Sequence, residues 1–186
     1  MSRTTTLIAA LFCATCFACG DEKEDEHGHD NSDGHHDNEN KSVTATFAPK
    51  SGNTTLAGTA VFSGEAGKVS VKVDLTGAPP GQHGLHIHMT GDCSDDAAMN
   101  AGGHWNPSEQ MHGAPGATSH LGDIGNITVA ADGTASHTAT NPLWEIGTGT
   151  ANDVTNKAVI VHEKADDLTT QPTGDAGGRI GCGVIK

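Results

Sequence analysis

The sequence predicts an all-β domain, an antiparallel sandwich or barrel of about eight short strands, and three observations carry that expectation. Apolar residues recur at every second position: Val69, Val71, Val73 and Leu75 alternate with Lys68, Ser70, Lys72 and Asp74. A strand with one wet face reads this way. Glycine is frequent, 25 of 186 residues, while aromatics make up 3% and Tyr is absent, so bulky packed helices and a large aromatic core are both excluded. No stretch shows a helical stripe, and short apolar runs broken by turn residues point to sheet packing instead.

Taken in order, the strand candidates are Val43–Ala48, Thr55–Ser63, Val69–Leu75, Gly84–Met89, Asn126–Ala131, Thr134–Thr140, Ala158–His162 and Gly181–Ile185. Asp132-Gly133 separates two of them by a hairpin turn signal. Two stretches stand apart: Thr90–Gly125 and Lys164–Gly178 are long, polar and Gly-rich. Loops of that length in a small domain need a functional reason.

Charge and the chain's beginning narrow the function classes. Acidic residues outnumber basic ones 23 to 10, a formal charge of -13, which excludes a protein that grips nucleic acid through its phosphates. Residues 1–18 have Arg3, no acids, the apolar run Leu7–Phe12 and then small residues, the layout of an export signal and too short to span a bilayer. Cleavage before Cys19 resembles processing of a bacterial lipoprotein, in which the new N-terminal Cys carries a lipid anchor. Cys16 stands where such signals usually have Leu, and export with unlipidated cleavage nearby is the alternative. Residues 19–41 form an expected tether: nine acids between positions 21 and 40, one lysine and no large apolar side chain cannot offset the entropy of ordering. Its His27, His29, His35 and His36 suit loose binding of Cu, Zn or Ni, against the plainer reading of a solvated spacer. The expected folded domain is 42–186. Of five cysteines, Cys13, Cys16 and Cys19 belong to this leader, leaving Cys93 and Cys182. A lone distant pair in an exported chain reads as one disulfide, against two unrelated buried thiols. In the chain-entropy account it contributes about 4 to 5 kcal/mol.

Histidines gather where chemistry would need them. His86 and His88 sit two apart in a strand candidate, so both imidazoles face one side and can reach one ion. His104, His112, His120 and Asp123 offer three imidazoles and a carboxylate, a closed tetrahedral set suited to Zn²⁺. His162 ends an aliphatic run, where a histidine is ordinarily a core residue with one hydrogen bond.

Taken jointly, these segments resemble the copper/zinc superoxide dismutase family over roughly Val43–Lys186. The resemblance rests on Gly84-Leu85-His86-Ile87-His88, Gly91-Asp92-Cys93, Gly103-His104-Trp105-Asn106-Pro107 with His112-Gly113, His120-Leu121-Gly122-Asp123, Val161-His162-Glu163-Lys164-Ala165-Asp166-Asp167, and Gly177-Gly178-Arg179-Ile180-Gly181-Cys182-Gly183. It implies an eight-stranded Greek-key sandwich or flattened barrel of immunoglobulin-like architecture with two long functional loops. It implies copper held by His86, His88, His104 and His162, and zinc held by His104, His112, His120 and Asp123, with His104 shared. Asp166 matches the carboxylate linking His86 to His112, Arg179 the arginine that receives the anion, and Cys93 and Cys182 the family's disulfide.

The activity so implied is dismutation of superoxide to oxygen and hydrogen peroxide, with a copper/zinc buffer that performs no catalysis as the alternative. Removal of Arg3 with the leader leaves a chain near -14, yet the mouth of the site differs. Two divalent ions and Arg179, less Asp123 and a bridging imidazolate, leave about +3 there. The distant tail acids are largely screened at a Debye length of about 8 Å. Cys93 directly after Gly91-Asp92, and the short Gln171-Pro172-Thr173-Gly174 stretch, look like bacterial exported members. That fits the cell envelope or periplasm and membrane anchorage. Lys164 is the only lysine in sequence near the site motifs, Trp105 stands where Phe is usual, and His83 and His137 match no ligand position and read as structural. Monomer and homodimer are both left open.

Overall fold

The structure, a computed structural model, describes residues 40–186. The expected signal at 1–18, Cys19 and the tail histidines His27, His29, His35 and His36 lie outside the described residues. Eight strands follow in chain order: β1 (Lys41–Pro49), β2 (Ala57–Gly64), β3 (Val69–Thr76), β4 (Gly81–His88), β5 (Asp123–Val129), β6 (Ala135–Asn141), β7 (Ala158–His162) and β8 (Arg179–Val184). They hydrogen-bond in the order β5-β4-β7-β8-β1-β2-β3-β6, with every pair antiparallel. β5 and β6, the two ends of this order, pack against each other and so roll the sheet into a flattened barrel.

The expected all-β architecture is present; strand bounds differ at starts and ends, and two of the shifted starts bear on the site. β5 begins at Asp123 rather than Asn126, and β8 at Arg179 rather than Gly181. The cause is the same at both places. The register shifts between Leu85 and His86, so that His86 lies opposite Asp123, and again between Val161 and His162, so that His162 lies opposite Arg179. Each bulge adds one residue on the partner strand, Ile124 or Ile180, and breaks the alternation that marks a strand in sequence. Bulges re-aim side chains, and here both set a site residue beside another.

β3 shows the simple case: Val69, Val71, Val73 and Leu75 are buried, while Lys72 and Thr76 are exposed. They meet Phe62, Leu85, Ile87, Ile127, Val159 and Val161 in one core, each large side chain contributing about 1.5–3 kcal/mol by burial. Trp144 packs edge-on against Phe62 with ring centroids 5.6 Å apart, and its Nε1 donates to Leu121 O at 2.8 Å. β4 and β7 differ, because both their faces are covered from Leu85 to His88 and throughout β7. Leu85, Ile87, Val159 and Val161 fill the barrel; His86, His88 and Ile160 face the other way, beneath the long loops. Ala98, Ala101, Ala158, Ile160 and Cys182 form a second apolar cluster under the loop that contains the 3-10 turn Met99–Ala101. The Cys93–Cys182 disulfide, with Cα atoms 5.8 Å apart, fastens that loop to β8.

Candidate metal centre

Backbone pairing delivers the first residues to the site. The strand edge continues past β4, with His88 bridged to His104, and Trp105 N–H donating to Ile87 O at 2.8 Å. Ile87 N–H in turn donates to Gly122 O, and Gly122 N–H to Trp105 O, each at 2.8 Å. Two separate loop segments therefore lie directly on β4. Only glycine permits this at position 122, since a Cβ there would sit 2.2 Å from Ile87 O.

The result is two sets of buried donors, His86, His88, His104 and His162 in one and His104, His112, His120 and Asp123 in the other. Within each set the candidate ligand atoms all lie within 4.8 Å of one another, and His104 belongs to both. The seven expected copper and zinc ligands of the folded domain are thus brought together. The Nδ1 of His104 is 3.0 Å from Asp123 Oδ1 and 3.4 Å from His120 Nδ1, and His112 Nδ1 is 3.1 Å from the same carboxylate oxygen. The opposite edge of the His104 ring, Nε2, is buried without a hydrogen-bond partner, as is Nδ1 of His86.

Neighbouring acceptors fix which nitrogen of each ring is bare. His88 Nδ1 donates to Gly102 O at 2.9 Å and His162 Nδ1 to Gly177 O at 3.3 Å, leaving their Nε2 atoms 3.4 Å apart. His86 Nε2 donates to Asp166 Oδ2 at 2.7 Å and His112 Nε2 to Asp166 Oδ1 at 2.9 Å. One carboxylate therefore orients a ring in each set, the placement expected of Asp166. Such acceptors set ring direction and raise ligand basicity. Asp166 is itself held by Asn126, which accepts its N–H at 2.8 Å and donates to its carbonyl at 2.9 Å. Gly174, at φ +69°, passes so close that a Cβ would fall 1.9 Å from Asp166 Oδ1. The loop can close over the carboxylate only with glycine there.

Burial pushes the imidazoles of His86 and His88 well below the ordinary histidine range, and that of His162 down to about 4. Their lone pairs stay free at neutral pH, as metal ligation requires. Burial acts to raise Asp123, but its contact with His104 and the nearby His112 and His120 hold the carboxyl below its usual value. The whole donor set is one acid and six neutral-capable imidazoles, soft enough for copper and closed enough for zinc.

Arg179 stands opposite His162 in the sheet, and its Nη1 and Nη2 donate to Ala98 O at 2.5 Å and Gly102 O at 2.6 Å. Gly102 O therefore receives both Arg179 and His88. His83 is structural, its ring nitrogens 2.8 Å from His162 O and 2.8 Å from Pro79 O. His137 lies away from both sets, opposite Val73 on β6, with Nε2 buried and unpartnered. Sequence reasoning missed Asn126, Gln171 and Lys50. Gln171 clamps His112 by accepting its N–H at 2.8 Å and donating to its carbonyl at 2.8 Å. Lys50 reaches the disulfide loop, with Nζ 2.6 Å from Cys93 O. These residues act across 40 to 59 positions of chain, and no local pattern marks them.

Similarity to known proteins agrees with this geometry. The family model described as copper/zinc superoxide dismutase (SODC) matches residues 56–185. The chain is 41% identical over 138 residues to "Superoxide dismutase [Cu-Zn] 2" of Brassica juncea, covering 70% of this chain and 89% of that protein. It is also similar to the crystal structure of the clock protein EA4, at 32% identity and TM-score 0.69, covering 78% of this chain and 94% of the other. With two buried donor sets joined through one imidazole, and a family match over most of its length, this chain belongs to the copper/zinc superoxide dismutase family.

Proposed function

We propose that the chain dismutes superoxide, with His86, His88, His104 and His162 as the copper ligands and His104, His112, His120 and Asp123 as the zinc ligands. The observation that carries this assignment is the pair of orphaned buried nitrogens, His86 Nδ1 and His104 Nε2. A buried polar atom without a partner costs about 1–3 kcal/mol, and a metal ion in the first set removes that cost for both. Copper held by His86, His88, His104 and His162 would supply the one-electron chemistry that dismutation needs, while zinc is redox-inert.

The chain's own residues supply the rest. Asp166 holds His86 and His112 in the tautomers that turn Nδ1 of each inward. His104 Nε2 is the atom at which a proton is held between the two half-reactions, and Asp123 keeps the ring in place through the Nδ1 edge. Arg179, with two N–H groups committed to carbonyls, has three more to offer an anion. Two superoxides and two protons leave as one O₂ and one H₂O₂. A metal buffer has no use for a guanidinium held in this way, which favours the enzyme.

Inhibition of superoxide-driven cytochrome c reduction by metal-loaded protein tests this reading. Activity that survives His104→Ala, or is absent from wild-type protein carrying both metals, would overturn it. We also propose that residues 1–18 direct export, that Cys19 anchors a bacterial envelope lipoprotein, and that 19–41 tether the domain 42–186. The leader's composition supports this, and so does a disulfide of the kind that persists in oxidising compartments. A mature N-terminus without lipidated Cys19, read by mass spectrometry, ends the anchoring proposal.

A further inference from the structure

Arg179 is held by a turn, and the turn must be held by something. Ala98 accepts from the guanidinium while in a left-handed conformation, φ 52°, fully buried at the start of the turn Met99–Ala101. The Asp95 carboxylate grips that turn by accepting Met99 N–H at 2.8 Å and Asn100 N–H at 3.0 Å. Asp95 is in turn fixed from outside the loop. The partly buried Lys50 donates through Nζ to Cys93 O at 2.6 Å and to Asp95 O at 3.0 Å. Its backbone N–H donates to Ile180 O at 2.9 Å, next to Arg179, and Ser51 N–H reaches Asp96 O at 2.9 Å. The segment after β1 therefore ties β8, next to Arg179, to the stretch of the disulfide loop that leads into the arginine's anchor.

We propose that Lys50 is a positioning residue for Arg179, its ammonium fixing the turn whose carbonyl oxygens aim the guanidinium at the anion. Three independent contacts support it: two carbonyls of the loop on Nζ, and one backbone bond to the strand that carries Arg179. The ammonium also holds the Asp95 carboxyl low, after the two turn N–H groups that do most of this. The charge thus reinforces the carboxylate that caps the turn. An ammonium on two carbonyls is a charge-assisted arrangement, stronger and more directional than its neutral counterpart. The disulfide fixes the loop at Cys93 alone; Lys50 extends that grip to residue 95.

The inference rests on reading Arg179 as the anion receiver, and its test separates the two. Azide serves as the probe, a small anion that takes an open Cu(II) position. Metal-loaded wild type, Lys50→Met, Lys50→Arg and Arg179→Ala are compared by azide titration and by hydrogen exchange. Lys50→Met is expected to bind azide about tenfold more weakly, the scale of one charge-assisted hydrogen bond. The peptide spanning 97–102 should exchange faster, with the β4 and β7 amides unchanged. Lys50→Arg should recover both. The affinity ratio should persist at about 0.5 M salt, where a purely long-range charge effect is screened away. Unchanged azide affinity in Lys50→Met overturns the proposal, as does faster exchange throughout β4 and β7 or a ratio abolished by salt. Unchanged affinity in Arg179→Ala overturns the reading of Arg179 itself.

Discussion

The two halves of the metal centre are built on different foundations. Three of the four first-set histidines stand on strands: His86 and His88 on β4, whose barrel face is locked by Leu85 and Ile87, and His162 at the end of β7. In the second set only Asp123 belongs to a strand; His104, His112 and His120 come from the long loop, held by hydrogen bonds such as the two of the Gln171 clamp. Packed sheet resists displacement at the cost of core contacts, whereas a loop is held only by the bonds it makes. The first set is therefore preformed on the sheet, and the second is held in place by the loop's hydrogen bonds.

His104 is the one residue both halves need, so its loss should have the largest effect. His104→Ala is expected to abolish dismutation and to lower the content of both metals, read by elemental analysis after dialysis. Full zinc retention in that variant would break the idea of a shared ring. Asp166→Asn comes next, because one carboxylate orients a ring in each half. Affinity for both metals should fall about 10–100-fold by chelator competition. A loss confined to one metal would show that the halves are independent.

Gln171→Ala sharpens the comparison further. It removes two hydrogen bonds that hold His112 and touches nothing in the first set. Zinc affinity should fall about tenfold, with copper affinity unchanged. Equal losses would mean that the first set also depends on the loop.

The legibility of each part in the sequence follows the same division. β3 is plain because one face is dry and one wet, so Val69–Leu75 alternate. β7 reads as an unbroken aliphatic run because loops cover its second face. The starts of β5 and β8 are hidden, since bulges at Ile124 and Ile180 break the period at the point where Asp123 and Arg179 are placed. Spacing suggests His86 with His88 and groups His104, His112, His120 and Asp123, but the complete set is legible only through resemblance to a family: His86 and His162 are brought together by a β4–β7 pairing that no local pattern encodes. Asn126, Gln171 and Lys50 carry no signal at all. They are polar residues of strand or loop whose partners lie 40 to 59 positions away.

Acid should act on the preformed half of the metal-free protein. His162 titrates near 4 when folded, against an ordinary value of 6.5. Between those values the unfolded chain binds a proton that the native chain refuses, so unfolding is favoured as pH falls. The His162 contribution to the stability of the metal-free protein, full above about pH 6.5, should decline through that window and be exhausted below about pH 4. Denaturant midpoints across the range read the effect. Loaded protein should decline less, because the ion occupies the nitrogen that would take the proton.

The smallest effect concerns neither half. His137 faces the same side of the sheet as its partner Val73, near the seam where β6 meets β5, and its Nε2 is buried without a partner. Burial lowers its pKa, so the neutral ring is what the barrel accepts there, and one nitrogen still loses its water. Val at this position removes the orphan and suits a strand facing Val73. His137→Val should therefore raise unfolding free energy by about 1 kcal/mol, with metal content and activity unchanged. A stabilised barrel with altered copper or zinc affinity would show that the seam communicates with the loops. An unaltered pair of affinities leaves the difference between the halves where the bonding places it, in the loop's own contacts rather than in the rigidity of the barrel beneath.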